Sequence, residues 1–258
     1  MSYALITGAS SGIGYELAKL FAKDSHNLVL VARREDRLRQ LSRDLENNYQ
    51  IKTLVIPKDL SQPRSAQEIF DLLDQNEITI DYLINNAGFI VYGCFSDTNW
   101  SEESKMIQLH IETLTHLIKL FLPEMLSRKN GKILNIGSTG SFVPGPFNAV
   151  YCATKNYILS LSEAIAEELA GTGVTVTALC PGGTKTEFAE KASVKNSSGN
   201  FFQSMEAEQV AKIGYQALMK GKRAVVPGML NKMQIFSIRF IPRILATKLI
   251  KFMMSKYK

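Results

Sequence analysis

The sequence predicts an α/β fold, one doubly wound parallel sheet with helices on both faces and a basic, amphipathic helical tail. Three observations carry this expectation. Short apolar runs of β character (3–6, 27–32, 51–57, 81–84, 132–136 and 174–179) alternate with longer stretches of helical periodicity, the pattern of repeated strand–helix–strand units. The first run leads into Thr7-Gly8-Ala9-Ser10-Ser11-Gly12-Ile13-Gly14 and then into a helical pattern with Leu17, Leu20 and Phe21 on one side, so a glycine-rich turn lies between a strand and a helix. The chain has 258 residues, 45% hydrophobic and 21% charged, which is ordinary globular material sufficient for one core. The expected division is residues 1–230 as the sheet domain and 231–258 as a C-terminal extension.

The glycine-rich turn is the first chemical signal. Gly8, Gly12 and Gly14 let the backbone turn tightly and come close to a ligand, with Ser10, Ser11 and Ile13 between them. The helix that follows would offer free N–H groups and a partial positive charge to a pyrophosphate. The second signal is the stretch 138–155, STGSFVPGPFNAVYCATK. If the chain is helical from Ala149, as Ile158, Leu161, Ile165 and Leu169 suggest, Tyr151 and Lys155 stand one turn apart on one face. A phenol is a poor acid at neutral pH, with an unperturbed pKa of about 10, and a fixed cation favours its ionised form. Ser138, just beyond the apolar run 132–136, is placed to face Tyr151 and bind a carbonyl oxygen. Taken alone, the Tyr–Lys pair also suits an ordinary surface helix.

Together these motifs resemble the short-chain dehydrogenase/reductase family, in its compact single-domain form. Thr7-Gly8-x3-Gly12-x-Gly14 resembles the family's cofactor turn, Asn85-Asn86-Ala87-Gly88 its mid-sheet motif, Ser138 with Tyr151-x3-Lys155 its catalytic set, and Pro181-Gly182 the pair after its sixth strand. The likeness runs in order from about residue 3 to residue 226. It implies a Rossmann-like sheet, a nicotinamide dinucleotide cofactor and oxidoreductase activity.

Along the chain, the strand 27–32 ends in Arg33-Arg34, where the adenine ribose of a dinucleotide would lie. A carboxylate there accepts the ribose 2′-OH and repels a 2′-phosphate, whereas arginine binds that phosphate through forked, charge-assisted bonds. The expected cofactor is therefore NADP(H), with Arg33 favoured over Arg34. The plainer reading is that both arginines cap a strand end before the helix 35–48. Asp59-Leu60 follows the third strand, and the resemblance places this pair against the adenine; Ser61 reads as the cap of a helix running to about residue 76. At Asn86, Ala87 and Gly88, small residues let the nicotinamide ribose approach, while amide side chains brace neighbouring strands.

The aromatics of 89–95 (FIVYGCF), with Phe142, Val143 and Phe147, suggest a largely apolar pocket wall; singly, each suits core packing. Residues 101–125 read as helical. In 106–111 the resemblance places an asparagine that steadies a water-linked proton path from the lysine, and this chain carries His110 instead. Imidazole both donates and accepts, so His110 reads either as a relay member or as a satisfied buried histidine. After the strand 174–179 come Pro181, Gly182, Gly183, Thr184, Lys185 and Thr186; by resemblance, Thr184 and Thr186 contact the nicotinamide carboxamide and the pyrophosphate. Residues 187–204, with Phe188, Phe201 and Phe202, read as a lid over substrate or as a plain surface loop.

The three cysteines are odd in number and lack metal-ligand spacing, so reduced thiols, no metal site and a cytoplasmic setting are expected. The first strand begins almost at Met1, so no secretory leader is expected, and no apolar run reaches the roughly 18 residues of a membrane span. Residues 231–258 hold seven Lys or Arg and no acidic residue, and without them the formal charge of +6 becomes about −1. Pro242 should divide this tail into two helices. In the second, Leu245, Leu249, Phe252 and Met253 share one face, and Thr247, Lys248, Lys251 and Ser255 another. That suits peripheral contact with an anionic membrane, or an apolar face docked on the body or on a second subunit of a homo-oligomer. Nucleic acid is not expected, because no recognition fold accompanies the charge.

The function expected is NADP(H)-dependent, reversible reduction of a carbonyl on a fairly apolar small-molecule substrate, with Tyr151 as general acid and base. The alternatives are a hydroxysteroid- or oxoacyl-type lipid dehydrogenase, or a non-catalytic NADP-binding scaffold or sensor at a membrane.

Overall fold

The computed structural model describes residues 2–187 and 204–255. Its elements run β1 (Tyr3–Thr7), α1 (Gly12–Lys23), β2 (Asn27–Ala32), α2 (Glu35–Tyr49), β3 (Thr53–Pro57), α3 (Ser65–Gln75), β4 (Ile80–Asn85) and α4 (Trp100–Ile107). A π-helical turn (Gln108–Thr113) joins α4 to α5 (Leu114–Ser127), and β5 (Gly131–Ile136) and a 3₁₀ turn (Thr139–Phe142) precede α6 (Ala149–Glu168). Then come β6 (Val174–Leu179), β7 (Thr184–Lys185), β8 (Met205–Glu206), α7 (Ala207–Met219), β9 (Ala224–Val225), α8 (Met229–Ile238) and α9 (Arg243–Ser255).

Seven strands form one parallel sheet in the order β3-β2-β1-β4-β5-β6-β9. Successive strand residues point to opposite faces, and each face is covered. Ile6, Leu28 and Leu30 pack with Leu17 and Phe21 of α1, Leu38 and Leu41 of α2 and Val210 and Leu218 of α7. Their neighbours Leu5, Val29 and Val31 pack on the other side with Ile69 of α3, Ile118 and Phe121 of α5 and Ile158 of α6. This is why 27–32 reads as an unbroken apolar run: all six residues of β2 are buried.

The chain order reverses between β1 and β4, so the carboxyl ends of these strands open onto a crevice, the ligand position in such sheets. The glycine-rich turn, the end of β4 and the end of β5 all meet there.

Two boundaries differ from expectation. The third strand starts at Thr53, and Ser61 does not cap α3, which begins at Ser65 behind Arg64. Pro63 disfavours helical geometry at Gln62, and Arg64 sits at φ +65°, a left-handed conformation that a right-handed helix cannot contain. Ser61 instead turns back, its N–H and hydroxyl both donating to Asp59 Oδ1. Among the described residues no helix is long and apolar enough to cross a membrane.

Candidate active site

Gly8 adopts φ +67°, and a Cβ there would meet Asn86 Nδ2 at 2.8 Å and the Ala87 backbone at 2.9 Å. Gly12, at φ +59°, leaves the room that Thr186 fills, since a Cβ would lie 2.9 Å from its Cγ2. Only glycine fits both the conformation and the space. Thr7 ties the two strand ends together: its hydroxyl donates to the Ile84 carbonyl (3.1 Å) and accepts from the N–H groups of Asn86 (2.9 Å) and Ala87 (3.0 Å). Asn86 Nδ2 donates to the Thr7 carbonyl at 2.9 Å. Its neighbour Asn85 donates to Asn135, and Asn135 to Ser162, so amides do brace β4, β5 and α6. The start of α1, at Gly12, Ile13 and Gly14, has no acidic residue in its first turn and no side-chain cap from Ser11, which leaves its N–H groups free to hold an anion.

At the end of β2 the two arginines diverge. Arg34 turns onto the glycine-rich turn, donating to Ser10 Oγ at 3.1 Å and Ser11 Oγ at 2.8 Å. Arg33 instead faces Asp59, whose carboxyl lies below the usual range: burial opposes this, but the Ser61 bonds and the Arg33 charge outweigh it. Glu187 accepts from Arg34 Nη1 at 2.5 Å and pairs with Arg37 as well, and the two guanidiniums hold its carboxyl down to about 2. Of the pair at the strand end, Arg34 is therefore the one that reaches the turn. Leu60 is buried, and its carbonyl accepts from Thr113 at 2.8 Å.

Ser138 is fixed by a capping box. Its Oγ accepts from the Gly140 N–H at 3.0 Å, and its own N–H donates to Ser141 Oγ at 3.1 Å. Across the gap it faces Tyr151, in the first turn of α6, where the serine hydroxyl favours the ionised phenol. Lys155, one turn on, places Nζ 5.7 Å from the centroid of the Tyr151 ring and donates to the Ile136 carbonyl at 2.9 Å. All three expected side chains are thus brought together at the end of β5. The expected depression of the phenol pKa is not found. Burial pushes the Tyr151 phenol above its ordinary value, with the Ser138 hydroxyl opposing, and pushes the Lys155 ammonium down to about 8. Nζ is spent on a carbonyl and not on the phenol, so desolvation wins.

His110 lies in the π-helical turn, fully enclosed. Nε2 accepts from the Phe89 N–H at 3.2 Å, so Nδ1 carries the proton; it lies 2.9 Å from Thr154 Oγ1, which in turn donates to the Tyr151 carbonyl at 2.8 Å. Burial, helped by the Lys155 charge, holds the imidazole well below 6.5 and therefore neutral. Both ring nitrogens are engaged, and neither meets Lys155. A Cβ on Gly88 would lie 2.8 Å from Nε2, so glycine there lets the ring in. Thr154 was not singled out in the sequence; the available signal was a hydroxyl residue inside a helix three places after Tyr151, where it can bond a carbonyl of the preceding turn.

Phe89, Ile90 and Val91 pack against Met106, Tyr151 and Cys152, and the Gly93 N–H donates to the Phe147 carbonyl at 2.7 Å, so the two aromatic loops meet beside Tyr151. Phe142 packs inward, against Leu159 and Cys180. A cavity of about 550 Å³ opens between Val143, Pro146 and Cys152 on one side and Arg243 and Thr247 of α9 on the other. The tail thus lines it, which sequence reading did not foresee. Pro181 accepts from the Thr139 N–H at 2.8 Å, Gly182 abuts Asn231 of α8, and Thr184 and Thr186 follow at the crevice. Phe188, Phe201 and Phe202 lie outside the described residues.

A family model described as short chain dehydrogenase matches residues 2–198. Three solved structures superpose over nearly the whole chain. A short-chain dehydrogenase from Sphingobium yanoikuyae in complex with NADPH is 29% identical, with 94% of this chain and 96% of that one covered at TM-score 0.83. A structure described for the stereoselectivity of 7beta-hydroxysteroid dehydrogenase is 25% identical, with 98% and 96% covered at TM-score 0.87. The bulky-bulky ketone specific alcohol dehydrogenase from Comamonas testosteroni is 28% identical, with 94% and 96% covered at TM-score 0.78.

Proposed function

Because this chain belongs to the short-chain dehydrogenase family, and is by that membership an oxidoreductase of alcohols and carbonyls, we propose that it reduces the carbonyl of a fairly apolar substrate with NADPH, reversibly. The observation that carries this reading is the meeting of Ser138, fixed by its capping box, with Tyr151 and Lys155, one turn apart on α6, at the carboxyl end of β5.

The residues present suit a dinucleotide. Gly8 and Gly12 leave a cradle that a Cβ would fill, the open N-terminus of α1 suits a pyrophosphate, and Asn86, Ala87, Gly88, Pro181, Gly182, Thr184 and Thr186 border the same crevice. The bound nicotinamide would supply or take the hydride. Ser138, held rigid by its capping box, would donate to the substrate oxygen. Tyr151 would protonate that oxygen during reduction and take the proton back during oxidation. Its raised pKa keeps the phenol protonated at neutral pH, which suits the reductive direction. Lys155 would hold the nicotinamide ribose and stabilise negative charge on Tyr151 as the proton leaves. Asp59 and Leu60 would border the adenine.

His110 acts here as a brace: neutral and doubly bonded, it ties the Phe89 loop to the helix turn that bears Tyr151. Preference for NADP(H) is supported by Arg34 on the turn, Arg33 beside it and the lack of an acidic residue at the end of β2. The complex of a similar chain with NADPH points the same way. The apolar loops beside Tyr151 favour a bulky hydrophobic ketone, and the likeness to a 7beta-hydroxysteroid dehydrogenase gives a steroid-like alcohol as the second reading. A cytoplasmic setting suits three free cysteines, and residues 231–258 serve attachment, to a membrane surface or within a homo-oligomer. Turnover of NADPH with apolar ketones, with NADH as control, tests the assignment.

A further inference from the structure

The two helices of the tail are seated on the body by a narrow inner side. Asn231 and Ile235 of α8 and Ala246 of α9 are buried; Asn231 Nδ2 donates to the Pro227 carbonyl at 2.7 Å, and the Tyr92 hydroxyl donates to the Met254 carbonyl at 3.2 Å. Most of their large apolar side chains point the other way. Met229, Met233 and Phe236 form an i, i+4, i+7 stripe on α8, continued by Phe240, and Leu245 and Leu249 form one on α9; these six are between 50% (Leu249) and 74% (Phe240) exposed. An apolar face of this extent turned to water marks an interaction surface.

Its charge says what it fits. Lys232 and Arg239 flank the stripe on α8, Lys248 and Lys251 that on α9, and none pairs with a described carboxylate. No Asp or Glu occurs anywhere in 231–258. A second copy docking by two-fold symmetry would set this patch on itself, cation against cation. An anionic lipid surface meets both demands: headgroups take the flanking cations, and the acyl boundary takes the stripe between them.

We propose that α8 and α9 form a docking surface for an anionic lipid bilayer. It deepens the attachment reading given above by committing to one partner. It also has a consequence that rests on the oxidoreductase reading: the inner side of α9, through Arg243 and Thr247, lines a cavity with Val143, Pro146 and Cys152, so docking sets the loop between Ser138 and Tyr151 near the lipid surface, where apolar carbonyl compounds accumulate.

The test is co-sedimentation of the full-length protein with phosphatidylcholine vesicles, with and without about one third phosphatidylglycerol, across a salt series. Binding to the anionic vesicles at low salt, little binding to neutral ones and release by salt are expected. Lys248→Glu with Lys251→Glu should lower the partition by about tenfold or more, since each surface cation contributes about a factor of five. Met233→Ser with Leu249→Ser should weaken it with melting temperature unchanged, because both side chains are exposed. If the unaltered protein stays in the supernatant with anionic vesicles at low salt, the proposal is overturned. It is equally overturned if vesicles are ignored while Met233→Ser with Leu249→Ser dissociates an oligomer. Neither readout needs cofactor or substrate, so failure here leaves the oxidoreductase reading standing.

Discussion

Lys155 Nζ lies 5.7 Å from the centre of the Tyr151 ring while donating to the Ile136 carbonyl, so the cation is held against β5 by the strand that also delivers Ser138. Helix α6 sets the spacing of phenol and ammonium, and β5 sets the distance of both from the serine. The site is therefore a property of the carboxyl end of the sheet and not of any one loop.

Tyr151→Phe keeps the ring and its packing and removes the proton. Turnover should fall by about 10²- to 10⁴-fold, the range for loss of a positioned acid, with NADPH affinity nearly unchanged by fluorescence titration. Activity above a few per cent of the original would remove Tyr151 from the proton-donor role.

His110 gives a stability test. Its folded pKa is depressed, so the unfolded chain binds a proton from about pH 6.5 downward while the folded one does not. The stability that neutral His110 contributes is complete above that value and is lost as pH falls below it, with a slope approaching about 1.4 kcal/mol per pH unit. His110→Asn should flatten this acid limb in denaturant titrations and keep activity within a few-fold. His26, also depressed by burial, leaves a residual slope in both proteins. An unchanged acid limb, or a collapse of activity at neutral pH, would contradict the brace.

The strands, the glycine-rich turn and the Ser138, Tyr151 and Lys155 set were legible because each is written locally, as an unbroken apolar run or as residues one helical turn apart. What was not legible depends on rotation and tertiary contact. Which of Arg33 and Arg34 turns toward Ser10 is decided by the twist at the end of β2, a matter of one residue. The π-helical turn that swings His110 onto Phe89 and Thr154 adds one residue to a helical turn and leaves no periodic trace. Apolar residues at helical spacing in the tail could not say whether Leu245 and Leu249 face the body, because burial belongs to the partner surface.

The arginines make the cofactor testable by binding. Arg34→Asp should shift preference from NADPH toward NADH, by repelling the 2′-phosphate and losing the forked bonds to it. Glu187→Gln, which frees Arg34 and Arg37 from a competing carboxylate, should tighten NADPH relative to NADH in calorimetry. Arg34→Asp with no change in the NADPH to NADH ratio would move the determinant elsewhere.

Gly8→Ala meets both a left-handed φ and a Cβ overlap with Asn86 and the Ala87 backbone. The cost should be about 1–3 kcal/mol in unfolding free energy, with cofactor affinity reduced as well, because the turn and the end of β4 must move apart. Wild-type stability and affinity in this variant would show that the crevice is looser than the contacts at Gly8 and Asn86 imply.

The most direct test of the central claim is NADPH consumption by the purified protein across a panel of apolar ketones, aldehydes and oxoacyl thioesters, each repeated with NADH. Oxidation of NADPH by at least one bulky apolar carbonyl compound is expected, at a kcat/KM well above that with NADH and abolished by Tyr151→Phe. No turnover with any of them, or turnover that survives Tyr151→Phe, would contradict it.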